Sequence, residues 1–257
     1  MNIWILLLLS VVQGLTEFLP VSSSGHLLLL ENIFGIKNNL LLLNLFLHIS
    51  TLLAVLIYYR RIVINLLKKP FQPLTYKLII STILTVIIAL IYKYFNLSET
   101  LDKFYGYYFI VTGALLLITH YFRKKTVRFN VGEVSYKSAV IAGLVQGVAV
   151  LPGISRSGST ISSLVLCGNE DEKSAEYSFV LSIPVIVGGF ILELFSIDDL
   201  SNIFYGLPPI MFFVSFAVTF LVSLFALKIT EKFLKQNKFI YFSIYLFIVG
   251  IVTIFFV

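Results

Sequence analysis

The sequence predicts an all-α integral membrane protein built from two inverted-topology repeats, each one re-entrant helical hairpin plus three transmembrane helices. Three observations carry that prediction. Apolar runs of about 20 residues, the length that crosses a bilayer, recur along the chain. Hydrophobic residues make up 58% of it and charged residues only 12%, with a mean hydropathy of +0.97; a soluble domain carries about 25% charged residues. One polar, Gly-rich, Pro-broken stretch also occurs twice, 133 positions apart. The 257 residues read as a single membrane domain, with inverted halves at about 1–125 and 134–257.

The first copy is Gln13-Gly14-Leu15-Thr16-Glu17-Phe18-Leu19-Pro20-Val21-Ser22-Ser23-Ser24-Gly25-His26. The second is Gln146-Gly147-Val148-Ala149-Val150-Leu151-Pro152-Gly153-Ile154-Ser155-Arg156-Ser157-Gly158-Ser159. Aligned without a gap, Gln13 meets Gln146, Gly14 meets Gly147, Ser22 meets Ser155, Ser24 meets Ser157 and Gly25 meets Gly158. Ser23 falls on Arg156. Both stretches sit inside long apolar regions, where a membrane protein places its chemistry.

Taken in order, a helix is expected from about Ile3 to Leu19, stopped by Pro20 and the serines. A second, short helix follows from about Ser22 to Phe34. Two short helices around a polar turn make a re-entrant hairpin, which is tolerated only where protein or a water-filled cavity surrounds the turn. Spans are expected at about Leu40–Tyr59, closed by Arg60-Arg61, at Tyr76–Tyr94, and at Tyr105–Phe122, closed by Arg123-Lys124-Lys125. Then the pattern restarts. Val134–Leu151 and Ser157–Leu166 form a second hairpin around Pro152-Gly153. Spans follow at about Ala175–Phe195, Leu207–Leu227 and Phe239–Val257.

Three spans per half is an odd number, so the second half must sit upside down relative to the first. Loop charge agrees. Links on one face carry 15 of the 19 Lys and Arg residues, from Arg60, Arg61, Lys68, Lys69 and Lys77 through Arg123–Lys125, Arg128, Lys137 and Lys173 to Lys228, Lys232, Lys235 and Lys238. The other face has Lys37, Lys93 and Lys103, and Arg156 lies inside a hairpin. That bias assigns the basic face to the cytoplasm of a multi-pass plasma-membrane protein. Hairpin one then enters from outside, hairpin two from inside, and their tips meet within the membrane.

The tips carry the chemistry. Ser22, Ser23 and Ser24, and Ser155, Ser157, Ser159 and Thr160, each cluster at the start of a short helix. Such a helix end offers free backbone N–H groups and partial positive charge, so two facing ones form an anion site. Arg156 adds a fork-shaped cation suited to phosphate oxygens. His26, three residues after Ser23, shares its helix face and suits base-assisted nucleophilic attack. Gln13 and Glu17, four apart, share another face. A membrane-buried carboxylate needs a cation or a proton, so Glu17 points to a divalent metal, to Arg156 or to a general-base role.

These residues resemble a known family. Gln13-x-x-x-Glu17 followed by Phe-Leu-Pro-Val-Ser-Ser-Ser-Gly-His26 is similar to the Glu/Gln-x-x-x-Glu motif of the undecaprenyl pyrophosphate phosphatases of the bacitracin-resistance type. Pro152-Gly153-Ile154-Ser155-Arg156-Ser157-Gly158-Ser159-Thr160 resembles their Pro-Gly-x-Ser-Arg-Ser-x-x-Thr motif. The resemblance covers essentially the whole chain. It implies removal of the terminal phosphate from a C55 polyprenyl diphosphate at the outer face of the membrane, which recycles the lipid carrier of cell-wall polymers. It implies Ser23 as nucleophile, His26 as its base or acid, and Arg156, Ser155, Ser157 and Thr160 on the diphosphate; the hydroxyls of Ser22 and Ser24 add phosphate donors, and direct attack by water or by His26 is the alternative to Ser23. Glu17 and Gln13 would handle protons or hold a divalent cation, magnesium or calcium. Gln13 stands where many members have Glu, one charged ligand fewer.

Other readings bound this one. No aromatic-interleaved basic patch supports nucleic-acid binding, so the expected partners are the lipid diphosphate and the bilayer; a homodimer is admitted but not required. One cysteine, Cys167, excludes an internal disulfide. Trp4–Leu9 resembles a signal-peptide core, but no Lys or Arg precedes it and no cleavage site follows, so it is expected to stay in the protein. Ser10, Ser243, His48 and His120 are expected to be structural. The alternative function is a transporter or flippase of an anionic polyprenyl lipid, which would need the cationic cradle but no nucleophile–base pair.

Overall fold

The computed structural model describes residues 2–36, 40–95, 97, 101–126, 134–194 and 208–256, and they contain helices and turns but no strand. Eleven α-helices follow one another among these residues: α1 Ile3–Thr16, α2 Ser23–Ile33, α3 Leu41–Tyr58, α4 Arg60–Lys68, α5 Pro73–Tyr94, α6 Tyr105–Thr126, α7 Tyr136–Val148, α8 Arg156–Leu166, α9 Asp171–Leu194, α10 Pro209–Lys235 and α11 Phe239–Phe256. Local chemistry sets their starts. Asn2, Ser22, Ser135 and Ser155 cap α1, α2, α7 and α8 by accepting backbone N–H groups, which satisfies donors that a helix N-terminus leaves free. Pro73 and Pro209 open α5 and α10, where a missing N–H costs nothing.

Helix–turn–helix pairs stand where the two hairpins were expected, as α1–α2 and α7–α8. Six spans were expected, and the described helices support fewer by length and apolarity. Four qualify: α5, α9, α10 and α11. A fifth candidate is α3 with α4, bent by 79° at Tyr59. The helix α6 has the length of a span, but its Tyr, Thr and His residues keep it outside that group. Arg60-Arg61, expected to close a span, instead opens α4. The bend is held by Glu231 on α10, which accepts hydrogen bonds from Tyr58 (2.8 Å) and Tyr59 (2.5 Å). Lys37, Arg128, Phe195, Leu207 and Val257 lie outside the described residues.

Packing follows small residues and back-bonded hydroxyls. The first hairpin helix α1 lies on α10 and α3, α7 lies on α5, and α6 pairs with α11 along much of its length. Thr219 Oγ1 on α10 donates to Ser10 O on α1 at 3.1 Å, and Thr85 Oγ1 on α5 donates to Gly143 O on α7 at 3.0 Å. The backbones come close at these crossings. A Cβ on Gly14 would meet Val222 at 2.9 Å, and one on Gly147 would meet Ile88 at 2.7 Å. Ser10 itself donates to Leu6 O one turn back, as expected, whereas Ser243 donates to Gly113 O on the neighbouring α6. Phe18, Phe179, Ile161, Leu164 and Leu181 are fully buried among the hairpins and α9.

The α5–α7 crossing supplies a direct test. A Cβ on Gly143 would lie 2.6 Å from both Cα and O of Ser81, and backbone cannot rotate away as a side chain can. Gly143→Val is expected to destabilise the protein by about 1–3 kcal/mol or more, the cost of overpacking, read as a lowered unfolding midpoint in detergent. An unchanged midpoint would contradict this close approach.

Candidate active site

The chain turns between α1 and α2 through Glu17–Val21, and Ser22 caps the second helix in a left-handed backbone conformation (φ 70°). That region is costly for a residue with a Cβ and is kept only where the surroundings dictate it. Here they do. Ser22 Oγ accepts the N–H of Gly25 at 3.3 Å and the N–H of Gly153, at the tip of hairpin two, at 3.1 Å. Gly153 itself has φ +91°, and a Cβ on Gly25 would sit 2.8 Å from its nitrogen. Ser157 Oγ closes the contact by donating to Leu19 O at 3.1 Å. Behind the second tip, Thr112 on α6 donates to Gly153 O and accepts from Ser155 N–H, each at 3.1 Å. The two tips therefore touch, and protein groups satisfy their irregular backbone.

At the junction Arg156 pairs with Glu17 Oε1. Glu17 Oε2 accepts hydrogen bonds from Ser23 Oγ at 2.6 Å and from Gln13 Nε2 at 3.0 Å. The Glu17 side chain is 4% exposed and that of Arg156 18%. A cavity of about 270 Å³ opens onto this group. Its polar wall includes Glu17, Ser22, Ser23, Ser24, Ser155, Arg156 and Ser157, contributed by both hairpins. An apolar wall of Leu45, Val150, Val185, Ile186 and Phe190 lies beside it. The N-termini of α2 and α8, each 11 residues long, bring their free N–H groups and positive ends to the same place.

Three expected site residues stand elsewhere. The expected Ser23–His26 pair is not formed. The His26 ring is engaged on both sides, Nδ1 with Ser22 O and Nε2 with Tyr245 OH, each at 2.7 Å, and it packs against Tyr245 and Phe109. His26 does not line the cavity and instead ties the Ser22 turn to α11. Thr160 is fully buried, 2.5 Å from Ser178 Oγ and 2.8 Å from Arg156 O, and fastens α8 to α9. Gln13 is likewise buried, its Nε2 spent on Glu17 and its Oε1 without a partner.

Two residues outside the expected site line the cavity: His48, expected to be structural, and Gln146. His48 Nδ1 is 2.7 Å from Asn44 O, which leaves Nε2 4.0 Å from Glu17 Oε2. A faint signal existed for Gln146, the repeat partner of Gln13, and none for His48.

For a divalent cation, the residues present offer little. Among the described residues no group of three or more His, Cys, Asp or Glu converges, and both Glu17 oxygens already have protein partners. What remains suits only an ion that takes most of its ligands from phosphate oxygens and water, the habit of Mg²⁺. The arrangement as a whole is a cationic cradle for a phosphate group beside a hydroxyl already hydrogen-bonded to a carboxylate, the pairing that activates a serine nucleophile.

Comparison with known proteins agrees with this chemistry. A protein named undecaprenyl-diphosphatase from Carboxydothermus hydrogenoformans is 39% identical over 98% of this chain and 96% of its own length. Similarly named proteins from Halothermothrix orenii (38% identical, 99% of this chain and 98% of its own) and Treponema denticola (36%, 98% and 96%) align as fully. The sequence profile described as "Bacitracin resistance protein BacA" matches residues 6–252, and the chain belongs to that family.

Proposed function

We propose that this chain is a membrane phosphatase that hydrolyses undecaprenyl diphosphate, or a related polyprenyl diphosphate, to the monophosphate and inorganic phosphate. It thereby recycles the lipid carrier for cell-wall synthesis and confers bacitracin resistance. Full-length relatives carry the name of that activity. The observation that carries the mechanism is the 2.6 Å hydrogen bond from Ser23 to a Glu17 carboxylate that also pairs with Arg156 inside one cavity.

Catalysis by such a site is mainly positioning and charge stabilisation. Arg156 and the N–H groups at the starts of α2 and α8 hold the terminal phosphate. Ser23 Oγ attacks its phosphorus and passes its proton to Glu17. The P–O bond to the polyprenyl monophosphate breaks, and Glu17 returns the proton to the departing oxygen. Water then resolves the phosphoserine. Glu17 is the base in this reading because it already accepts the Ser23 proton, whereas His26 holds the turn. Ser22 and Ser24 supply further hydroxyl donors, Ser155 and Ser157 hold the start of α8 against the first hairpin, and Thr160 acts by fixing α8. A divalent cation carried in by the diphosphate would sit near Glu17 and Gln13 and neutralise phosphate charge there. The apolar wall lets the tail leave sideways into the bilayer.

The same reading includes inverted halves of about 1–125 and 134–257. Crossings that exchange under a two-fold support it: Gly14 against Val222 and Gly147 against Ile88, with Thr219 on Ser10 O and Thr85 on Gly143 O. Gly113 approaches Ser243 O on α11 just as Gly250 approaches Gly106 O on α6. The basic face then lies in the cytoplasm and the cavity opens outward.

Arg156→Ala is expected to lower phosphate release from a polyprenyl diphosphate by about 10²–10³-fold, the cost of removing a key charge-stabilising group, and Ser23→Ala and Glu17→Gln to abolish it, in purified protein that still folds. A Ser23→Ala enzyme with most of its rate would rule out the serine step. For sidedness, Lys103→Cys in a Cys167→Ser background should react with an impermeant maleimide on intact cells, and Lys68→Cys should react only after lysis. The reverse pattern would invert the assignment.

A further inference from the structure

Gln146 lies on α7 close to the tip of the second hairpin, is 1% exposed, and lines the cavity that holds Ser23, Glu17 and Arg156. Its Nε2 donates to Thr85 Oγ1 at 3.1 Å. Thr85 dictates which end of the amide faces it. That hydroxyl has a single proton and lies 2.9 Å from Ser81 O and 3.0 Å from Gly143 O. Its proton is committed to those carbonyls, so towards Gln146 it is an acceptor, and the amide must turn its NH₂ there. Gln146 Oε1 is left buried with no hydrogen-bond partner. A buried acceptor is costly until a donor reaches it.

The missing partner must be a donor or a cation. A deprotonated phosphate oxygen is itself an acceptor, which excludes the diphosphate. Arg156 and the Ser23 hydroxyl are turned to Glu17, and no carboxylate oxygen free of partners stands with Gln146 on the cavity wall to make a cation site. Water is the remaining reactant that brings donors. The repeat has divided a duplicated glutamine between two tasks: Gln13 braces Glu17 from outside the cavity, while its counterpart on the other hairpin belongs to the cavity wall.

Resting on the phosphatase reading above, we propose that Gln146 Oε1 holds the water that hydrolyses the phosphoserine intermediate. The amide oxygen accepts a hydrogen bond from one water O–H, which stays on the oxygen that becomes part of the phosphate, and aims the water lone pair at phosphorus. The new P–O bond forms as the bond to Ser23 Oγ breaks. The other water proton goes to Glu17, which returns a proton to the Ser23 oxygen, and inorganic phosphate leaves. Gln146 neither gains nor loses a proton; it orients the nucleophile of the second step and contributes little to the first.

That division is readable. Wild type, Gln146→Met and Gln146→Asn would be purified in detergent and given a polyprenyl diphosphate labelled with ³²P in its terminal phosphate. Label on protein and released phosphate would be followed by rapid quench. In Gln146→Met, kcat should fall by about 10²-fold, the effect of losing orientation of a reactant. Labelled protein should approach one per chain, formed at nearly the wild-type rate. Gln146→Asn keeps an NH₂ donor and an acceptor oxygen, one methylene shorter, and should recover part of the turnover and shed the label. Should Gln146→Met not fold, Thr85→Val, which removes the hydroxyl that turns the amide, should show the same accumulation. Slower turnover without label on the protein, wild-type turnover in Gln146→Met, or rescue of that variant by added divalent cation would each overturn the assignment. Absence of phosphate release by wild type would instead overturn the phosphatase reading.

Discussion

The ion pair between Arg156 and Glu17 is the constraint on which the rest of this structure depends. Each charge alone would be very expensive within a bilayer, and breaking such a buried pair by removing one partner typically costs about 3–5 kcal/mol. The two residues come from different hairpins, so neither hairpin satisfies its own polar residue. The tips are obliged to meet, and they meet through backbone as well: Ser22 with the Gly153 N–H, and Ser157 with the Leu19 carbonyl. A cation and a carboxylate bound for structural reasons are thereby held beside a serine hydroxyl, so the same pair closes the fold and prepares the chemistry.

Protein groups around the pair satisfy the irregular backbone of both tips. Thr112 on α6 satisfies both Gly153 O and the Ser155 N–H. His26 and Tyr245 anchor the carbonyl of the strained Ser22 to α11. Glycines at the α1–α10 and α5–α7 crossings let the supporting helices approach backbone to backbone, the usual way to pack helices without a hydrophobic drive between them. Rigidity of this kind suits a catalyst that works by positioning, and the apolar side of the cavity suits a headgroup whose tail remains in the membrane.

Much of this was legible in the residues. The hairpins, their order and the convergence of Ser23, Glu17 and Arg156 follow from one duplicated stretch, because a polar sequence inside an apolar one has few places to go. The misreadings have physical causes. Spacing puts Ser23 and His26 on one helix face, but Ser23 is the first residue of α2 and its hydroxyl turns to the preceding loop, where a carboxylate outcompetes the ring. Thr160 belongs to the matching motif yet lies one turn deeper and faces α9. Arg60-Arg61 read as a stop, whereas two tyrosines and Glu231, 172 residues from Tyr59 in sequence, bend the chain into another helix. His48 carries no local signal at all. Such long-range partners leave no trace in local spacing.

The most direct test of the central claim is a structure of the protein with a non-hydrolysable methylene-bridged polyprenyl diphosphate analogue. The terminal phosphorus should lie about 3–3.5 Å from Ser23 Oγ, the near-attack distance, with Arg156 on its oxygens and the first isoprene units against Val185, Ile186 and Phe190. A headgroup bound away from Ser23 and Arg156, or a tail running through another opening, would contradict the account.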